Sequence, residues 1–153
     1  MRLLVLLVLL SPSAYAEARK RVVVLALEGP KADAARTEVV RLIKRQHAVI
    51  KKGLWERAAK SKSAAKIDPK AIKRTAREME VDAIVSGTVE KLKSTYRVRF
   101  QVRSGDTGEI IGQLRAAFDG SSFDRTARAV IRDDLVDLIS NHRPSKAKNA
   151  RRR

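Results

Sequence analysis

Residues 96–103 read Tyr-Arg-Val-Arg-Phe-Gln-Val-Arg, the clearest alternation of apolar and polar side chains in the chain. Successive side chains of a β-strand point to opposite faces of the sheet, so this pattern predicts a strand with one buried face and one solvated face. The buried face would carry Tyr96, Val98, Phe100 and Val102, and the solvated face Arg97, Arg99, Gln101 and Arg103.

The segments on either side extend this strand into a three-stranded meander. Residues 104–108, Ser-Gly-Asp-Thr-Gly, have the composition of a turn and join two strands. Residues 109–118 then form the next strand, with Ile110, Leu114, Ala116 and Phe118 on a shared face. Upstream, residues 83–89 are strongly apolar and contain Gly87, which predicts a strand with a bulge or a close approach of another backbone.

The first half of the mature chain alternates strands and helices. Residues 21–27 are a continuous apolar run, which predicts an interior strand beside residues 83–89. Residues 32–45 have helical periodicity, and residues 47–51 form a brief strand. After Gly53 the chain is expected to form a short helix around Trp55 and then a mobile loop.

Two further helices are marked by their start signals. Asp68-Pro69 begins one that ends near Glu80, and Ser121 with Asp124 resembles a capping box ahead of a long closing helix. The predicted apolar stripe of the closing helix contains Phe123, Ala127, Val130, Ile131, Leu135, Leu138 and Ile139. The predicted fold class is α/β (α+β), a single mixed sheet of about five strands packed with three helices in the order β-α-β-α-β-β-β-α.

The amino terminus has the composition of a secretory signal peptide. Arg2 precedes an apolar run at residues 3–10, and the small residues Ala14 and Ala16 mark a cleavage site. We therefore expect a signal peptide at 1–16, a single envelope domain at 17–142, a disordered basic tail at 143–153, and a periplasmic or secreted protein. The chain has no cysteine, so neither a lipid anchor on cysteine nor a thiol site is expected.

The charge of the chain is strongly positive. The chain has 34 basic and 17 acidic residues, which gives a net charge of +17. Such a field attracts anionic partners, namely acidic proteins, acidic polymers or anionic membrane surfaces. Aromatic residues are scarce beside the basic ones, so sequence-specific binding of nucleic acid is not expected.

Three short phrases of sequence carry a resemblance to a known family. They are residues 22–29 (Val-Val-Val-Leu-Ala-Leu-Glu-Gly), 81–89 (Val-Asp-Ala-Ile-Val-Ser-Gly-Thr-Val) and 106–111 (Asp-Thr-Gly-Glu-Ile-Ile). With the element order, they make residues 21–139 resemble the TolB amino-terminal-like family, whose relatives include the periplasmic domain of the curli secretion channel.

The resemblance implies a small mixed α/β domain of the envelope that assembles or regulates by binding other proteins. It supplies no catalytic residues. The chain departs from the family pattern in two places: residues 26–28 stand where a proline is usual, and a basic tail follows the domain without a propeller, channel segment or lipid anchor. The partners of individual family members are therefore not transferred.

Three basic clusters are candidate anion-binding or partner-binding sites. They are the strand arginines Arg97, Arg99 and Arg103 with Arg115 on the next strand; Lys70, Lys73, Arg74 and Arg77 on one helix; and the tail residues Arg151, Arg152 and Arg153. Each cluster also has an explanation that involves no binding. Charges on an exposed strand also discourage edge pairing, and a basic helix face or tail also keeps a protein soluble.

The sequence offers few candidate residues for catalysis. His47 and His142 have no motif neighbours, and Asp133 and Asp137 are four residues apart on a helix without further metal ligands. No cofactor and no enzymatic activity are expected. A fold that placed both histidines and both aspartates in one pocket would favour a small hydrolase or nuclease, which we keep as a second alternative.

The function predicted from these observations is that of a secreted or periplasmic, non-catalytic module that docks on envelope proteins with help from its basic surface. The first alternative is a charge-driven binder of surface polysaccharide, anionic lipid headgroups or extracellular nucleic acid.

Overall fold

A five-stranded mixed sheet organises the computed structural model, which describes residues 19–60 and 68–143. The strands are β1 (Arg21–Val24), β2 (Ala48–Ile50), β3 (Ala83–Lys91), β4 (Tyr96–Ser104) and β5 (Ile110–Phe118). Their order is β2-β1-β3-β4-β5. β1 pairs in parallel with β2 and β3, and the pairs β3–β4 and β4–β5 are antiparallel.

In residues 19–60 and 68–143, four helices pack on this sheet. They are α1 (Ala32–Ile43), α2 (Lys52–Ala59), α3 (Pro69–Glu78) and a closing helix made of α4 (Arg125–Val130), a π-helical segment (Ile131–Val136) and α5 (Asp137–Asn141). The mixed five-stranded sheet confirms the predicted class. The described chain has four helices rather than the predicted three, because α2, the short helix expected around Trp55, adds one to the predicted order. Within the described ranges, no helix is long and apolar enough to cross a membrane.

Three predicted features fall wholly or mainly outside the described residues. They are the signal peptide with its cleavage site at Ala14 and Ala16, the loop after α2, and the basic tail with Arg151, Arg152 and Arg153. These remain predictions.

Two apolar clusters lie on the two faces of the sheet. The first lies under α1 and the closing helix and includes Val22 and Val24 of β1. The second surrounds Trp55 of α2 and contains Val23, Leu25, Ile72, Ala76, Val81 and Ile84. Because alternate residues of β1 enter opposite clusters, this strand is buried on both faces, as predicted.

Among the described residues, those that cover the second face of the sheet lie on its β1 side. In the described residues, α2 and α3 pack over β1 and the start of β3, and no helix packs on this face of β4 and β5. Val98, Phe100 and Val102 of β4 are buried in the first cluster, which confirms the predicted alternation. We call the uncovered second face of β4, β5 and the adjoining part of β3 the open face.

A bulge shifts the side chains at the start of β5. The register slips between Val102 and Arg103, so Gly112 pairs with Val102, Ile110 pairs with Arg103, and Ile111 is the extra residue. The prediction that Ile110 shares a face with Leu114 is therefore wrong: Ile110 is 41% exposed, and Ile111 packs against the first cluster instead.

An aspartate caps the first turn of α3 and of the closing helix, but only the cap of α3 was predicted. Asp68 caps α3 by accepting a hydrogen bond from the Ala71 N–H at 3.3 Å, as predicted. The predicted cap at Ser121 is wrong, because Asp124 is the N-cap and accepts from the Ala127 N–H at 2.7 Å. Ser121 instead donates to Asp119, from its backbone N–H at 2.7 Å and its hydroxyl at 2.9 Å.

The π-helical segment changes the apolar stripe of the closing helix. A π turn holds more residues than an α turn, so one further position joins the buried stripe. Leu135 and Val136 are consequently both buried, although they are adjacent in sequence. Val136 was missing from the predicted stripe, and Val130, which was included, is only half-buried.

Candidate functional site: the open face of the sheet

The strand register brings three of the predicted arginines together on the open face. One row of paired positions crosses four strand segments through Glu28, Thr88, Arg99 and Arg115. The neighbouring row contains Ser86, Gln101 and Gln113. Both rows, with Arg103, line a shallow groove of about 700 Å³.

The arginines of the groove differ in how the charge of each side chain is compensated. Arg99 forms an ion pair with Glu90, with its Nη2 3.2 Å from Oε2, and Arg103 donates from Nη1 to the Gly108 carbonyl at 3.1 Å. Arg115 is exposed and lies directly opposite Arg99 in the sheet. Like charges at directly opposed positions destabilise a strand pair, so an anion bound between these two side chains would relieve repulsion.

Arg97 belongs to a different part of the face. It lies one row further along β4, opposite Glu90 on β3 and Ala117 on β5, and it does not line the groove. The four predicted strand arginines therefore share one face, but only Arg99, Arg103 and Arg115 form one site.

The basic residues of α3 form a second, convex surface on the same side of the sheet. Ile72, Thr75 and Ala76 face the second cluster, so Lys70, Lys73, Arg74 and Arg77 lie on the opposite side of the helix. Arg77 also approaches Asp106 of the β4–β5 turn at 3.7 Å. Arg103 is paired with Ile84, which packs under α3, so the open face and α3 occupy the same side of the molecule.

The two histidines and the two aspartates named above do not form one pocket. Buried His47 has its Nε2 3.2 Å from Ser140 Oγ, whereas His142 has its Nε2 2.9 Å from Ser104 Oγ. Asp133 forms an exposed ion pair with Arg132 at 2.7 Å. In residues 19–60 and 68–143, no group of three His, Asp or Glu side chains could hold a metal ion. The arrangement that would favour a hydrolase is therefore absent from this part of the chain.

Ser104 and His142 form a contact that sequence reasoning did not find. Ser104 is fully buried, and its hydroxyl oxygen accepts hydrogen bonds from the N–H groups of Asp106 at 3.2 Å and Thr107 at 3.3 Å. The hydroxyl hydrogen is then left to be donated to His142 Nε2, which requires a neutral imidazole. The contact ties the end of the closing helix to the β4–β5 turn, and a buried serine of this kind is not available as a nucleophile.

This contact predicts a loss of stability on mild acidification. Burial lowers the pKa of His142, Lys20 lowers it further, and Asp106 and Asp82 oppose these effects. The imidazole pKa is therefore higher in the unfolded chain, at about 6.5, so the unfolded state binds more protons as the pH falls through this value. The free energy of unfolding should decrease from about pH 7.5 to about pH 5.5 and stop decreasing, for this group, below the folded pKa.

Urea denaturation of the wild type and of His142→Gln at both pH values measures this effect. The amide of glutamine can still accept from Ser104 but does not titrate, so the variant should lose less stability between the two pH values. An equal loss in both proteins would contradict the assignment.

Comparisons with known proteins show similarity at the level of the fold. No protein-family model matches the chain, and no curated protein sequence matches it. The C-terminal domain of LpoB from Escherichia coli is similar over 64% of this chain and 81% of that one, at 16% identity and a TM-score of 0.50. The lipoprotein GNA1162 from Neisseria meningitidis is similar over 79% of this chain and 96% of that one, at 14% identity and a TM-score of 0.51.

TolB from Acinetobacter baumannii is also among the similar structures, over 79% of this chain and 27% of that one, at 10% identity and a TM-score of 0.46. Membership of the TolB amino-terminal-like family stays a prediction. The chain shares its fold with the C-terminal domain of LpoB and with the lipoprotein GNA1162.

Proposed function

We propose that the protein is a non-catalytic interaction module of the cell envelope that docks on an acidic surface of another envelope protein. The observation that carries this proposal is the row of Arg99 and Arg115, which faces solvent on a part of the sheet that no described helix covers. The predicted signal peptide and the fold shared with envelope proteins support the periplasmic or secreted location.

The geometry of the open face favours a protein partner of complementary charge. Within the described residues, this half of the second face is left to solvent with arginine, glutamine and threonine side chains. Arginine presents several N–H donors in a fixed plane and pairs with carboxylates through two hydrogen bonds. Acidic side chains on a partner could therefore bind between Arg99 and Arg115 and compete with Glu90 for Arg99.

The first alternative, a charge-driven polyanion binder, rests on a different surface. Lys70, Lys73, Arg74 and Arg77 form a convex basic stripe on α3 that suits an extended or flat anion, such as a polysaccharide or a layer of lipid headgroups. The basic tail at residues 143–153 would add to such binding. Binding of this kind falls steeply with salt and depends on total charge more than on any one side chain.

Crosslinking in cells followed by mass spectrometry tests the proposal. We expect Arg99→Glu/Arg115→Glu to reduce recovery of the envelope partner about tenfold or more, because reversed rim charges repel the partner's carboxylates. The matched control is Arg45→Glu/Arg125→Glu, which changes the net charge equally at exposed positions on the opposite side of the sheet. The control should recover the same partner as the wild type, at low and at high salt.

Two other outcomes would contradict the proposal. Equal losses in both double variants, with complete loss on washing with high salt, would favour the polyanion alternative. Loss of the partner from a chain ending at His142, with the groove intact, would assign binding to the basic tail.

A further inference from the structure

The outer edge of β5 borders the open face. The docking proposed above does not involve this edge. β5 contains nine residues and is the last strand in the order of the sheet. No other strand of the described chain pairs with its outer edge. A strand in this position presents a row of backbone N–H and C=O groups that can pair with another chain.

The hydrogen-bond pattern shows which groups of β5 point outward. The Leu92 N–H donates to the Thr95 carbonyl at 2.8 Å and closes the β3–β4 turn. Because hydrogen-bonded and non-hydrogen-bonded pairs alternate in an antiparallel ladder, this bond fixes the phase of β4 and, through the register, that of β5. Gly112, Leu114, Ala116 and Phe118 then point their backbone groups at β4. Gln113, Arg115 and Ala117 point theirs at the free edge.

Apart from the bulge at Ile111 near its start, this edge lacks the usual protection against pairing. Natural edge strands are blunted by proline, by lysine, by bulges, by inward charges or by a covering helix or loop. β5 contains neither proline nor lysine, and Arg115 is its one charged residue. The side chain of Arg115 lies on the open face, so it does not block the edge itself.

The side chains beside the edge define the occupant. On the core face, Ile111, Leu114 and Leu138 are only partly buried at the rim of the first cluster, so apolar side chains of an added strand would cover them. On the open face, the added strand would lie next to Gln113 and Arg115, where acidic side chains fit. The matching segment alternates apolar and acidic residues.

Two occupants from this chain itself have the wrong charge. A second β5 carries arginine and no acid, and it would bring together two chains of net charge +17. Residues 143–153 carry six basic residues and no acid. The segment must therefore come from an acidic partner.

We propose that β5 binds an extended segment of an acidic protein in which apolar and acidic residues alternate, so that the bound segment becomes the sixth strand of the sheet. This inference rests on the proposed function and specifies how the partner is held. Backbone hydrogen bonds to Gln113, Arg115 and Ala117 give affinity, and the arginine row selects the acidic side chains.

Two peptides of nine residues and identical composition test the inference, with the folded wild-type protein as their target. One alternates Val and Glu, and the other has all its Val residues before all its Glu residues. Only the alternating peptide places its carboxylates on one face of a strand. We expect it to bind at least about tenfold more tightly in fluorescence titrations, and to slow hydrogen exchange of the amides of Gln113, Arg115 and Ala117.

A substitution at the exposed Ala117 separates strand pairing from charge attraction. Ala117→Pro removes one outward N–H and leaves the bonds between β4 and β5 in place, whereas Ala117→Val retains the N–H. We expect the proline variant to bind the alternating peptide about tenfold more weakly than the valine variant. If the proline variant does not fold, slower hydrogen exchange of the Gln113, Arg115 and Ala117 amides in the wild type still tests strand pairing.

Equal binding of both peptides, with unchanged exchange of the β5 amides, would overturn strand addition and leave docking on the open face intact. If Arg99→Glu/Arg115→Glu keeps its cellular partner, the proposed function itself fails, and the inference fails with it.

Discussion

Trp55→Ala is expected to lower the free energy of unfolding by about 3–5 kcal/mol, the largest effect of any single substitution considered in this protein. Trp55 is fully buried at the centre of the second cluster, where it packs with residues of β1, α3 and β3. That cluster is small, so few neighbours can move to fill the space left by an indole ring. The loss should therefore include both the transfer term and the cavity term.

Two matched variants isolate the cause. Leu54 precedes Trp55 on the same helix but is 44% exposed, so Leu54→Ala should cost less than about 1 kcal/mol. Trp55→Phe should cost less than Trp55→Ala, because it retains an aromatic ring and removes an indole N–H that has no hydrogen-bond partner among the described residues. Unfolding is followed by far-UV circular dichroism, since Trp55 is the sole tryptophan. Equal losses for Leu54→Ala and Trp55→Ala would contradict the burial of the indole.

Gly87→Ala is expected to destabilise the protein by about 3 kcal/mol, through overpacking rather than through a cavity. Gly87 lies in the middle of β3 opposite Phe100, and a Cβ at this position would be 2.2 Å from the Arg99 carbonyl oxygen. The obstacle is backbone, so a rotamer change cannot relieve the contact. β3 and β4 would have to separate at the centre of the sheet.

Gly53→Ala is the control for this prediction. Gly53 lies in the first turn of α2, and a Cβ there meets nothing within 4 Å. The substitution should be neutral or should stabilise the protein by up to about 1 kcal/mol, because alanine favours helix. Thermal unfolding distinguishes the two variants, with Gly87→Ala melting roughly 10 °C below the wild type. Similar melting temperatures for both variants would contradict the close approach at Gly87.

The parts of the fold that were predictable from sequence depend on local patterns. The alternation in residues 96–103 indicated the strand and both of its faces, and Asp68-Pro69 marked the start of α3. The burial of residues 22–25 on both faces followed from an uninterrupted apolar run. The glycine in β3 was predicted to be a bulge or a close approach, and the unbroken register of β3 with β4 supports the close approach.

The parts that were missed depend on the register or on contacts between distant residues. A bulge adds one residue to a strand without a distinctive sequence, so the position of Ile110 could not be read from the period of β5. The π-helical segment moved Val136 into the core in the same way. Ser104 and His142 meet across 38 residues, and neither residue belongs to a motif.

The sequence predicted which residues of the candidate site share a face, but not how they are paired. Arg97, Arg99 and Arg103 were placed on one face by alternation alone, and Arg115 was expected beside them on the neighbouring strand. The register then determined that Arg99 and Arg115 are directly opposed and that Arg97 lies outside the groove. The free edge of β5 could not be identified before the order of the strands was known.

The half-covered sheet also gives the described part of the molecule an electric dipole moment. The residues of α1 and of the closing helix include five basic and five acidic side chains, so these two helices together carry no net charge. On the other side, α3 adds four basic residues against Glu78, and β4 and β5 add four arginines. In the field of an anionic surface such a molecule would rotate before contact, and it would then present the open face and the edge of β5 first.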